Sequence, residues 1–182
     1  MALLESLTLP MGTVMPDFSL SDPTGVDYSL DSLLGEKGLL IQFTCNHCPY
    51  AIAIWPRCIA LAKTIAPLGI QTVAINPNIN PSYPDDSPEA MQKKQLDWGI
   101  PFPYLVDASQ TVAKAYQAQC TPDLYLINAA KELVYHGRLD DNWKEASAVK
   151  NRELEQACLS LAAGKPITTQ QFPSMGCSIK WV

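Results

Sequence analysis

The sequence predicts one α/β domain with a central mixed sheet flanked by helices. Three observations carry that reading. Apolar runs of strand length, Gly38–Phe43 and Ile70–Asn76, alternate with segments of helical period, the order expected of strands joined by helical crossovers. Two further runs, Asp123–Asn128 and Leu133–Arg138, stand close enough in sequence for a hairpin, which adds antiparallel pairing at one side. A hydrophobic fraction of 47% over 182 residues suits a single domain with its own core. The domain is expected to span residues 1–182, with an irregular tail over 165–182.

Each element has a local reason. Met11–Phe18 reads as a loop leading into a short strand. Pro23-Thr24-Gly25 is a turn signal. Ser29–Gly35 suggests a short helix or turn closed by glycine. Gly38–Phe43 is apolar throughout, so it is expected to be a buried central strand. Tyr50–Ala66 carries Ile52, Trp55, Ile59, Ala62 and Ile65 at helical spacing, with Pro56 inside it to kink it. Ile70–Asn76 is the next strand. Residues 76–88, rich in Asn, Pro, Asp and Ser, read as a long surface loop. A helix then opens with Ser87 as cap, Pro88 at its first position and Glu89 at its positive end, and stops at Gly99. Tyr104–Asp107 reads as a short strand and Ser109–Tyr116 as a short helix. The hairpin follows, turning at residues 129–132. Asn151–Ala163 is a last helix, closed by Gly164.

Charge and composition narrow the function. With 13 Lys and Arg against 18 Asp and Glu, the net charge is −5, and no basic stripe offers phosphate contacts, so nucleic acid is not expected as a partner. Met1–Met15 carries Glu5 and no Lys or Arg, unlike a signal peptide. Gly38–Phe43 has a strand's length and not a membrane span's. The expected location is the cytoplasm, with no membrane partner. Six cysteines in a reducing compartment do not make a structural disulfide framework.

Cys45 and Cys48 stand apart from the other four because two residues separate them at a predicted strand-to-helix junction. A helix N-terminus presents unpaired N–H groups and partial positive charge, which favour thiolate over thiol. Cys45, at the helix mouth, is expected to be the more exposed nucleophile. Cys48 is then the resolving thiol that closes on it. Asn46 and His47 lie between them, and a protonated His47 would make the pair more oxidising. A zinc site is the alternative use of such spacing, but zinc takes four ligands. No second pair of this spacing exists, and the histidines are His47 and His136 alone.

At these residues the chain resembles the thioredoxin superfamily, and within it the redoxin branch of alkyl hydroperoxide reductase-type peroxiredoxins and thioredoxin-like proteins related to cytochrome-maturation reductases. The resemblance covers roughly residues 11–160. Its markers are Pro16-Asp17-Phe18, Phe43-Thr44-Cys45-Asn46-His47-Cys48-Pro49, residues 99–107 and residues 121–128. It implies a thioredoxin-like fold and a cis Pro122 facing the redox turn, with Thr121 offering backbone to an extended substrate. Leu39 stands where thioredoxins carry a buried acid. In peroxiredoxins the attacking cysteine matches Cys48. A threonine usually lies three residues before it, where this chain has Cys45. The arginine those enzymes place near residues 120–122 has no counterpart here.

The expected function is thiol–disulfide oxidoreduction by Cys45 and Cys48, tuned by Asn46 and His47, with Thr121 and Pro122 shaping a partner groove. Partners would be protein thiols or disulfides and an upstream thiol reductant, with no cofactor beyond the redox-active disulfide and no metal. Three alternatives stay open: a thiol peroxidase using Cys48, a metal-binding module using Cys45, His47 and Cys48, and a redox-dead binding protein that keeps the fold. Cys120 and Cys177 read either as extra exchange thiols or as buried fillers, Cys120 under the hairpin and Cys177 beside Trp181. Cys58 and Cys158, among apolar helical neighbours, read as filler.

Overall fold

The computed structural model describes residues 3–182. Met1 and Ala2, part of the stretch read for a signal peptide, lie outside the described residues. Strands β1 (Leu3–Glu5), β2 (Ser19–Ser21) and β3 (Asp27–Ser29) precede the short helix α1 (Leu30–Leu33). Next come β4 (Gly38–Phe43), α2 (Pro49–Ile65), β5 (Ile70–Asn76), α3 (Pro88–Asp97), β6 (Tyr104–Val106) and α4 (Thr111–Ala115). The chain closes with β7 (Cys120–Thr121), β8 (Asp123–Asn128), β9 (Leu133–Gly137), α5 (Glu153–Ala162) and β10 (Met175–Ser178).

Seven strands form the main sheet in the order β3-β2-β6-β5-β4-β8-β9. Strand β4 is buried along its whole length, pairing parallel with β5 and antiparallel with β8. The sheet is therefore mixed, and the fold is thioredoxin-like, as expected. Alternation along β4 feeds two cores. Leu39, Ile41 and Phe43 join Val73, Ile75, Tyr116 and Tyr125 on one face. Leu40 joins Ile54 and Cys58 of α2 and Leu154 and Cys158 of α5 on the other. This is the period-two pattern of a strand buried on both sides. Cys58 and Cys158 are core filler, as expected.

Helix α2 runs unbroken through Pro56. Pro56 is exposed, so the Ile52 carbonyl that its missing N–H leaves free is close to water. The buried face runs through Ala51, Ile54, Trp55, Cys58, Leu61, Ala62 and Ile65. Ile52, expected on that face, is 38% exposed, because the stripe is set by Ala51 and Ile54 on either side of it. The stretch Pro49–Leu68 is long and apolar enough to cross a membrane, yet here its apolar face is spent on the sheet. Helix α3 starts as expected, with the Ser87 hydroxyl accepting from the Ala90 amide at 3.2 Å.

The tail departs from expectation. Residues 175–178 form β10, the middle strand of a second sheet in the order β1-β10-β7. Leu3 pairs with Cys177 on one side, and Cys177 pairs with Thr121 on the other, both antiparallel. Ile179 is buried in the core and Trp181 is 42% exposed.

Candidate functional site: a three-thiol cluster

Strand β4 ends at Phe43 and α2 begins at Pro49, so the turn between them carries Cys45 to Cys48 at the C-terminal edge of the sheet. Cys48 is the N-cap residue of α2. The β7–β8 connection crosses in front through a cis Thr121–Pro122 bond, as the resemblance implied. Thr121 meets both cysteines: its hydroxyl lies 3.2 Å from Cys45 Sγ, and its carbonyl 3.1 Å from Cys48 Sγ. A third sulfur joins them, since Cys177 Sγ is 2.7 Å from Cys48 Sγ. These cysteines pack as one small cluster with Ala51, bordered by Tyr50.

Cys45 and Cys48 are both fully buried. The expectation that Cys45 is the more exposed thiol is thus corrected: α2 starts four residues after it, and Thr121 caps it. Of the three thiols, Cys48 has the lowest pKa. Hydrogen bonding from Cys45 draws the Cys48 thiol down to about 5 against the opposing effect of burial, helped by a bond from Cys177. Burial holds Cys45 well above 9.0, and the nearby Asp86 carboxylate pushes it the same way. Cys177 is held up to about 12, first by burial and then by its bond to Cys48.

The intervening residues hold the turn. The Asn46 amide donates to Asp86 Oδ1 at 2.6 Å, and the Asn46 side chain donates to the Asp85 carbonyl at 2.8 Å. His47 Nδ1 bonds Asp86 Oδ2, and its ring stacks on Tyr83 at 4.6 Å. Asp86 is completely buried and also accepts from Asn76 Nδ2 at 3.1 Å. The segment read as a surface loop therefore supplies a buried anchor. Asp86 had no sequence signal of its own, standing in a run of Pro, Asp and Ser. Cys45, His47 and Asp86 bring donor atoms within 4.8 Å of one another, one ligand short of the usual structural zinc set. Cys48, grouped with Cys45 and His47 in the metal alternative, turns to Cys177 instead.

Cys120 is buried on the strand beside Thr121, with its sulfur 3.7 Å from the Pro122 carbonyl. Burial raises its pKa. Successive strand residues face opposite ways, so Thr121 aims at the cysteine pair and Cys120 away from it. Leu39 is an apolar core residue, as its position predicts. A buried acid stands elsewhere, at Asp123, where it bonds His136 Nε2 and the Tyr125 hydroxyl, both at 2.9 Å. Cys177 is buried, packed with Cys45, Cys48 and Ala51, while Trp181 is half-exposed.

Comparison with known proteins follows the same lines. The model of the AhpC/TSA family matches residues 11–136. The thiol-disulfide oxidoreductase ResA of Bacillus subtilis is 27% identical over 123 residues, 68% of this chain and 64% of that protein, so the chain spans under two thirds of its length. The structure of an uncharacterized conserved protein from Geobacillus kaustophilus superposes with a TM-score of 0.94 at 39% identity, covering 100% of this chain and 97% of that one. A hypothetical protein from Sinorhizobium meliloti gives a TM-score of 0.92 at 37% identity, covering 98% of each chain.

Proposed function

The chain belongs to the AhpC/TSA family, and from that membership and its sulfur cluster we propose that it is a thiol–disulfide oxidoreductase working through Cys45 and Cys48. The observation that carries the reading is the convergence of both sulfurs on Thr121, and Cys48 is the thiol of the pair whose pKa is lowered. The thiolate is the attacking species in disulfide exchange. Cys48 therefore attacks a partner disulfide, forming one new S–S bond while the partner's other sulfur leaves as a thiolate. Cys45 then gives up its proton, bonds to Cys48 Sγ and expels the partner's remaining thiolate. An external thiol reductant in a cytoplasmic setting returns the pair to dithiol. This reverses the order of attack that sequence spacing favours, because the low-pKa cysteine is the helix cap and not the residue before it.

Protein disulfides are the proposed substrate class. Asn46 and His47, anchored on Asp86, keep the turn in place. Thr121 and Pro122 form the edge on which an extended partner pairs, and an open cleft lined by Ile54, Pro122, Leu124, Trp143 and Met175 lies beside it. The chain's own β10 occupies that edge, so a partner engages after this strand lifts.

A second reading, thiol peroxidase, is favoured by the low pKa of Cys48, which sits in the peroxiredoxin register. The arginines among the described residues are engaged elsewhere: Arg57 pairs with Asp140, Arg138 with Glu153 and Arg152 with Glu155.

The test is reduction of insulin's interchain disulfides with dithiothreitol as the recycling reductant. Acceleration over dithiothreitol alone, lost in Cys48→Ser, is expected. No acceleration, combined with peroxide consumption that Cys48→Ser abolishes, overturns the oxidoreductase reading in favour of the peroxidase.

A further inference from the structure

We infer that Cys177 is a third exchange thiol, which attacks Cys48 of the oxidised pair and forms a Cys48–Cys177 disulfide that staples the C-terminal strand across Thr121. The inference rests on the reading of Cys45–Cys48 as a redox pair. It concerns a strand beyond residue 136, where the family match ends.

Position is the first argument. Cys177 lies opposite Thr121 in an antiparallel pair, so its side chain shares the face that Thr121 turns to the cysteine pair. Its sulfur is 2.7 Å from Cys48 Sγ, and both pack in one cluster with Cys45. Cys120, one residue from Thr121, points to the other face. The register therefore selects Cys177 over Cys120.

The strand is also fitted to this place. A Cβ on Gly176 would stand 2.1 Å from the Thr121 carbonyl oxygen and 3.0 Å from Pro122 Cδ. Only glycine permits the backbone to lie so close. The flanks are tied down on both sides. Ser6 and Ser174 exchange two hydrogen bonds of 2.9 Å. The Ser174 hydroxyl donates to the Gly137 carbonyl at 2.6 Å. Ile179 N donates to the Gln119 carbonyl at 3.1 Å, and Lys180 N donates to Asn78 Oδ1 at 2.8 Å.

The step is thiol–disulfide exchange with no net oxidation. Cys177, once deprotonated, gives an electron pair to Cys48 Sγ. The Cys45–Cys48 bond breaks, its electron pair leaves on Cys45, and Cys45 takes up the proton that Cys177 released. The oxidised protein thus has two isomers. With Cys45–Cys48 closed, β10 is held over the Thr121 edge by non-covalent contacts alone. With Cys48–Cys177 closed, that edge is sealed by the chain's own strand, in the manner of a bound peptide.

The experiment is disulfide mapping by mass spectrometry after oxidation with diamide, which accepts the two electrons and two protons released. Wild type is expected to yield both cross-links. Cys45→Ser is expected to yield Cys48–Cys177, and Cys177→Ser only Cys45–Cys48. Gly176→Val, which forces β10 off Thr121, should lower the Cys48–Cys177 share several-fold and raise that of Cys45–Cys48. Absence of Cys48–Cys177 from both wild type and Cys45→Ser, with Cys45–Cys48 forming normally, overturns the inference alone. Failure of Cys177→Ser to form Cys45–Cys48 overturns the redox-pair reading and the relay with it. Wild-type mapping decides the matter where a substitution unfolds the chain.

Discussion

Cys48 differs from its neighbours through what surrounds its sulfur, since burial alone would raise every thiol in the cluster. Hydrogen bonding with Cys45 and Cys177 lowers it, and the cap position of α2 adds the helix field. A thiolate titration followed by ultraviolet absorbance is therefore expected to show one group with a midpoint near 5, far below the ordinary 9.0. Replacing Cys45 by Ala removes the largest favourable contribution and should move that midpoint upward. An unchanged midpoint would mean that Cys45 is not the donor. The sign of the coupled stability follows: the folded value lies below the unfolded one, so the thiolate stabilises the fold fully above about 9 and loses that contribution as pH falls through about 5. At this scale the spacing of Cys45 and Cys48 was informative, and the family resemblance pointed to Thr121 and Pro122. The sequence was silent on Asp86, because its role depends on the chain folding back forty residues to meet the Asn46 amide.

At the scale of elements, local pattern sufficed wherever a segment's own residues decide its state. Strand β4, the cap of α3 and the β8–β9 hairpin fall where apolar runs, Ser87-Pro88 and the turn residues place them. Strand β10 was illegible for the opposite reason. Met175-Gly176-Cys177-Ser178 has neither alternation nor β-branched residues, and it is a strand only because β1 and β7 flank it. The buried stripe of α2 was misread by one position at Ile52. Ile54→Ala should therefore destabilise the protein by about 2–5 kcal/mol, whereas Ile52→Ala should cost about 0.5 kcal/mol or less. Urea denaturation of the two variants checks this. Equal losses would mean that the helix buries a different face.

Across the whole molecule, the mixed sheet delivers the end of β4, the start of α2 and the β7–β8 connection to one edge, and the C-terminal strand closes over them. Cys45 and Cys48 are therefore inside the protein, unlike a pair displayed at a surface, beneath a strand that the same chain supplies. Function then turns on whether Cys45 and Cys48 exchange electrons within the range of working thiol pairs. The most direct measurement is a glutathione redox titration of the Cys177→Ser protein, with the state of Cys45 and Cys48 read by alkylation and mass. A single two-electron transition shared by both cysteines, with a potential between about −270 and −120 mV, is the expected result. No shared transition, or one below about −300 mV, where structural disulfides lie, would contradict the assignment of Cys45 and Cys48 as a working redox pair.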